Sequence, residues 1–245
     1  MNSIQEIINW SEVWAPLIPL TFFLILRPKT AWTKPVFYFL VITLFFSICL
    51  DVMWKRRTLG LNDWFEKNLW WWWDIDRATG KKALKNNIFY NLNSFARLIF
   101  FSAFFTYFYP VFKKIHRYVP WIFLALMIVN FIFHESIKDF SSIEHAVEAA
   151  ILLTCCLIYI YKATLDDTVP SLSSQPQFWL ITGLTLYTAI NFFIFLFYKY
   201  LMASLRFKKY ANDVWNVHNI SFIILCVLTA VSFYKAKKWI KTSPY

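Results

Sequence analysis

The chain has 245 residues, 59% of them hydrophobic and 22% aromatic, and it carries a formal net charge of +11. This composition indicates an integral membrane protein, in which apolar spans use more than half of the residues and leave no room for a separate soluble domain. The positive charge does not require a nucleic acid partner, because basic residues beside a membrane face anionic lipid.

Apolar stretches near the roughly 20 residues that a helix needs to cross the hydrocarbon core recur along the chain. They lie at about 13–26, 36–54, 88–109, 119–138, 143–162, 178–201 and 214–234. The sequence therefore predicts an all-α fold, in which residues 1–245 form a single bundle of seven transmembrane helices. The N-terminus has no features of a cleaved signal peptide, and Pro16 and Pro19 predict that the first span is retained and kinked.

The connection at about 55–87 is the one long loop between predicted spans, and it is rich in tryptophan. Trp64 and the run from Trp70 to Trp73 stand among charged residues. Amphipathic rings beside charges are typical of a segment in the headgroup layer. The loop is predicted to lie there, either as a passive interfacial anchor or as a lid over a pocket.

Glycine is scarce in the chain, and cysteine is confined to the apolar stretches. The four cysteines all lie inside apolar stretches, at Cys49, Cys155, Cys156 and Cys226, where small hydrophobic side chains need no redox role. With three glycines in the chain, packing through paired glycines is not expected. Gly183, within the sixth span, and the proline-bearing first span are predicted as the elements most able to move.

The distribution of charge suggests an orientation. The connections after spans 1, 3 and 5 and the C-terminal tail concentrate basic residues in short segments, such as Lys113-Lys114. The other connections carry most of the acidic residues. By the positive-inside rule the N-terminus is predicted to lie outside and the C-terminus in the cytosol, and the membrane is predicted to be a bacterial inner membrane.

Polar residues inside or at the ends of the spans gather on one membrane face. Consecutive spans alternate in direction, so the ends of spans 2, 4 and 6 and the starts of spans 3, 5 and 7 meet there. The predicted pocket residues on this face are Asp51, Asn91, Arg97, His134, Glu135, His145, Glu148, Asn191, Trp215 and His218. Because charges inside a bilayer are costly unless paired, Arg97 is expected to pair with Glu148 or with Asp51.

Two interpretations of this cluster stay open. It is either a structural polar network that fixes helix packing, or a site for a ligand, a proton or a metal ion. Imidazole and carboxylate ligands from His134, His145, His218 and Glu148 would suit zinc and a bound water activated for hydrolysis. Seven-span hydrolases of the ceramidase and adiponectin-receptor type use three histidines in this way, but this chain lacks their paired His-x-x-x-His on one helix.

Other functional classes fit less well. The sequence has no Gly-x-Ser-x-Gly elbow, no phosphate-binding loop and no His-Glu-x-x-His. A retinal protein would need a lysine in the middle of span 7, whereas the nearest are Lys209 and Lys235. An odd number of spans without inverted repeats weakens a secondary transporter, although a passive proton or ion path stays open.

The last 100 or so residues carry the clearest familiar pattern. Ser142-Ile-Glu-His-Ala-Val-Glu148, then Gln177-Phe-Trp-Leu-Ile-Thr-Gly183, then Trp215-Asn-Val-His218-Asn-Ile resemble small uncharacterised seven-helix bacterial membrane proteins, whose modules also occur in sensor histidine kinases. The matching positions are Glu148, Phe178, Trp179, Gly183, Tyr187, Asn191, Trp215 and His218.

That resemblance implies reception rather than catalysis. The expected function is a membrane sensing module with an outward-facing polar pocket, and the zinc hydrolase is the alternative. No kinase domain is expected after span 7, so the expected partners are the bilayer, a small-molecule or lipid ligand, and a separate signalling protein. No cofactor is identified from the residues, zinc being the only candidate.

Overall fold

The computed structural model describes residues 3–56, 59–68, 73–75, 82–84, 87–133, 141–166, 171–203 and 210–242. Three short helices open the chain: α1 (Ser3–Asn9), α2 (Ser11–Trp14) and α3 (Leu17–Leu26). The long helices are α4 (Thr33–Lys55), α6 (Asn87–Phe105), α7 (Pro110–Phe133), α8 (Ser142–Thr164), α9 (Pro176–Ala203) and α10 (Ala211–Thr242). Between α4 and α6 lie the short helix α5 (Asn62–Asn68) and strands β1 (Trp73–Ile75) and β2 (Lys82–Leu84).

The six long helices, within the described ranges, are each long and apolar enough to cross a membrane. A helical membrane bundle is therefore the fold, but a seventh full-length span is not among them. The first apolar stretch forms the shorter helical segment Ser11–Leu26, at about 24 Å for 1.5 Å per residue. Pro16 suits the start of a helix better than its interior, so α3 begins directly after it.

The long loop differs from the all-α prediction in one detail. Strands β1 and β2 pair antiparallel, with Trp73 opposite Leu84 and Ile75 opposite Lys82. In the preceding helix α5, Phe65 is buried whereas Trp64 is exposed. Trp70, Trp71 and Trp72 lie outside the described residues, and the location of this loop in the headgroup layer stays a prediction.

The bundle is organised around α6 and α9. Helix α9 packs between α8 and α10, α6 packs against α4, α7 and α8, and α3 lies against α10. Phenylalanine fills the core along α6, where Phe101, Phe104 and Phe105 are buried and Phe104 packs edge to face against the other two. Helix α7 is the least buried of the six spans.

Gly183 brings α9 and α10 into close contact. A Cβ atom at this position would lie 3.1 Å from the Leu228 Cβ and 3.2 Å from the Leu225 Cα. The second neighbour is backbone and cannot rotate away. Close packing through a single glycine thus occurs in this bundle, and Gly183 has a packing role that the sequence-based prediction of mobility did not include.

Candidate functional site

An ion pair between α6 and α8 forms the centre of the polar face. Arg97 donates from Nε to the Glu148 Oε1 at 2.6 Å and from Nη2 to Oε2 at 2.5 Å. The Ser94 hydroxyl, one turn earlier on α6, donates to the same Oε2 at 3.0 Å. Glu148 is only 1% exposed and Arg97 7%. The bidentate geometry lets each charge neutralise the other, which confirms the predicted pairing of Arg97 with Glu148.

Helix α9 extends this network through Tyr187 and Asn191. The third guanidinium nitrogen, Arg97 Nη1, donates to the Tyr187 hydroxyl at 2.5 Å. One turn further along α9, the Asn191 side-chain amide donates to the Tyr187 carbonyl at 2.6 Å, and its Oδ1 is bonded to Nδ1 of His218 on α10. A continuous chain of polar contacts therefore joins α6, α8, α9 and α10.

The N-terminal segment reaches this network from outside the bundle. Glu12, on α2, places Oε1 3.6 Å from the His218 Nε2, and it is hydrogen-bonded to Tyr90. On α1, Gln5 exchanges hydrogen bonds of 2.6 and 3.2 Å with Asn216 of α10. Segment α1–α2 thus covers one side of the polar site through contacts with the start of α10.

A small cavity of about 30 Å³ lies within this frame. That volume suits about two water molecules. Its polar walls are Glu12, Arg97, His145, Tyr187 and His218, together with Thr43, Ser47 and Asn93. Its apolar walls are Phe46, Leu50, Phe89, Tyr90, Phe195, Trp215 and Phe222. Aromatic walls around a few convergent polar groups are the usual composition of a small-molecule site.

The predicted pocket residues that the structure describes differ in their distance from the cavity. Arg97, His145, Trp215 and His218 line the cavity, and the buried Glu148 and Asn191 hold Arg97 and His218 in position. Asn91 is buried on α6 without lining the cavity. Asp51 lies at the end of α4 and forms an ion pair with Lys55 at 3.2 Å, one turn along the helix.

Two aromatic contacts position the histidines. The His145 ring lies 5.0 Å from the Phe195 ring, and the His218 ring lies 4.9 Å from Trp215. Each imidazole is therefore held against an aromatic wall, His145 from α8 and His218 from α10. This packing restricts both rings, and both residues line the cavity.

Predicted residues His134 and Glu135 lie outside the described residues. Among those that the structure does describe, no three histidine, cysteine, aspartate or glutamate side chains are grouped closely enough to hold a metal ion. Of the predicted zinc ligands in that part of the chain, Glu148 uses both oxygens for Arg97, and His218 uses Nδ1 for Asn191. Glu148 and His218 are thus bonded to other side chains, and the predicted ligands that the structure describes do not converge on one point.

Glu12 was not identified as a site residue from the sequence, and Tyr187 was identified only through the resemblance to other membrane proteins. Glu12 is the one acidic residue at the entrance of the first apolar stretch, which is the signal that would have identified it. The contact of Tyr187 with Arg97 depends on the rotation of α9 about its own axis. When a helix is covered by neighbours on several sides, its pattern of hydrophobic residues does not determine that rotation.

Comparison with known proteins gives no matching family model, no matching curated protein and no matching solved structure.

Proposed function

We propose that the protein is a membrane reception module that binds a small ligand in the cavity and passes the signal to a separate partner protein. The observation that carries the proposal is the cavity itself, in which the arginine of a buried ion pair and two histidines converge between aromatic walls. The resemblance to membrane modules of sensor kinases points in the same direction.

The cavity is small compared with the sites that hold organic ligands. Sites for organic ligands usually enclose about 300–1,000 Å³, far more than the roughly 30 Å³ present here. A ligand larger than a few atoms therefore has to move an element of the wall. Segment α1–α2 is the part of the wall outside the long helices, and the contacts that hold it include those of Gln5 with Asn216 and of Glu12 with His218. Ligand binding and a change in this segment would then be coupled.

Helix α10 is the element suited to carry such a change across the membrane. It has 32 residues and a length of about 48 Å. Its first turns contact Glu12 and Gln5, and its far end contacts the chain before α9, where Lys235 donates to the Ser173 carbonyl at 3.0 Å. A shift of α10 at the cavity would reach that end as a rigid-body movement.

In the proposed orientation the cavity lies on the outer side of a bacterial inner membrane, and the basic C-terminal end of α10 lies in the cytosol. Ser11–Leu26 is then a seventh, shorter membrane segment. The argument is the concentration of basic residues in short connections on the other face. A reporter that works only in the cytosol should be active when fused after Tyr245. Inactivity there, with activity of the same reporter inserted near Gly80, would reverse the orientation.

The ligand can be sought in protein purified gently from its native membrane. We expect mass spectrometry to detect about one small molecule per chain. In Ser47→Leu a larger apolar side chain fills the cavity from α4, so the molecule should be lost, while overpacking should cost about 1–3 kcal/mol of stability and leave the protein folded. Ser47 lines the cavity and is 5% exposed, whereas the next residue, Ile48, is 46% exposed.

Ile48→Phe is therefore the matched control, because it adds volume on the lipid side of the same turn, and it should keep the molecule. Loss of the molecule from both variants, or its absence from wild type, would contradict a site in this cavity.

The zinc-dependent hydrolase remains the second candidate, favoured by the presence of both His145 and His218 in one cavity wall. Metal analysis of the same preparation separates the two functions. Reception predicts folded protein without stoichiometric zinc. About one zinc per chain, lost on His218→Ala, would instead support the hydrolase.

A further inference from the structure

A second polar site lies on the opposite membrane face, where α6 ends and α7 begins. An open groove of about 410 Å³ is lined by Thr106, Lys113, His116, Arg117 and Trp121. It is more than ten times as spacious as the cavity described above. Four of its five lining residues belong to the first three turns of α7, so their side chains lie on neighbouring parts of one helical surface.

The groove has positive charge and a fixed wall. Lys113 and Arg117 are exposed and lie four residues apart. His116 is held in place because its Nδ1 is bonded to the Ser102 hydroxyl at 2.8 Å. That hydroxyl donates to the Ile99 carbonyl at 2.9 Å, so it accepts from the His116 Nδ1–H. The imidazole is therefore oriented by α6, whereas the two cationic groups are available to a ligand.

An apolar surface continues from the groove toward the middle of the membrane. Trp121 is 62% exposed, and Ile128 and Ile132, on the same face of α7, are 50% and 68% exposed. An indole at the membrane interface followed by exposed aliphatic side chains is the surface that a phospholipid meets from headgroup to acyl chain. Lys113, two turns before Trp121, lies about 12 Å nearer the water.

We infer that this groove is a binding site for the headgroup of an anionic phospholipid. Lys113 and Arg117 contact the phosphate, with the guanidinium offering paired donors, while Trp121 lies beside the glycerol region and the acyl chains run along Ile128 and Ile132. Charge complementarity and the location at the edge of a membrane-spanning helix both select a lipid as the occupant. The inference is independent of the ligand in the opposite cavity.

The test uses the full-length protein, delipidated and then loaded with equal amounts of phosphatidylglycerol and phosphatidylethanolamine. Native mass spectrometry should show one phosphatidylglycerol retained per chain in preference to phosphatidylethanolamine. Lys113→Gln with Arg117→Gln should weaken that retention about tenfold or more, since each basic residue near the surface contributes to anionic lipid binding. Both side chains are exposed, so the melting temperature should stay unchanged.

Lys34→Gln with Lys114→Gln is the matched control, because it removes the same charge from exposed positions of the same membrane face that do not line the groove. The control should retain the lipid. Equal loss from the two double variants would overturn the site in favour of a diffuse surface charge. Competition by inorganic phosphate at concentrations equal to the lipid would overturn the lipid assignment and indicate a free-anion site.

Discussion

Arg97→Leu and Glu148→Leu are each expected to lower the melting temperature of the detergent-purified protein strongly. Each substitution leaves one buried charge without its counter-ion. Of the contacts with described residues, Glu148 would keep the hydroxyl of Ser94, and Arg97 would keep that of Tyr187. Breaking a buried ion pair in this way costs about 3–5 kcal/mol, whereas replacing both partners by apolar residues is far less harmful. The double variant should therefore be more stable than either single variant.

Thermal unfolding of the three variants measures this coupling. Tyr187→Phe is a useful comparison, because it removes a single hydroxyl from the same guanidinium and should cost only about 1–3 kcal/mol. If the losses of Arg97→Leu and Glu148→Leu simply add in the double variant, the two side chains are not energetically coupled, and the polar network has another centre.

Gly183→Leu is expected to separate α9 from α10 and to destabilise the bundle by about 3 kcal/mol, because a side chain would be forced into a closely packed contact. Gly183→Ala should cost much less. Its methyl group meets neighbours at 3.1 and 3.2 Å, but alanine favours the helix by up to about 1 kcal/mol relative to glycine.

Thr182→Leu is the control, since Thr182 is exposed on the same turn of α9 and can accept a larger side chain. Melting temperature and detergent-resistant yield measure all three variants. Equal tolerance of leucine at positions 182 and 183 would mean that the close approach of Gly183 to Leu225 and Leu228 is not required for stability.

The sequence predicted those features that depend on length and on the cost of burying charge. Six apolar stretches correspond to the six long helices, because crossing hydrocarbon demands about 20 residues and internally satisfied backbone groups. Arg97 lies two to three turns inside a span, where a lone charge is costly, so a carboxylate partner was required. Of the two partners expected, the structure selects Glu148, and Asp51 pairs with Lys55 instead.

The features that the sequence did not predict depend on rotation and local geometry. The kink predicted in the first apolar stretch is a full break before Leu17, with Pro16 at the start of a new helix. The contact of Glu12 with His218 depends on where α2 lies relative to α10, which no periodicity determines. The packing role of Gly183 likewise depends on the facing surface of α10, since the same residue in an exposed turn would have no close neighbour.

Ligand binding in the cavity is proposed to be transmitted along α10 to the other membrane face. Hydrogen exchange tests it directly, on wild type and Ser47→Leu in nanodiscs, with and without a small-molecule extract of the native membrane. The extract is expected to slow exchange in wild type at Ser11–Trp14. It should also slow exchange on the opposite membrane face, around Leu172–Ser174 and in the last turns of α10. Neither effect is expected in Ser47→Leu. Protection confined to the cavity side, or equal in the two proteins, would contradict it.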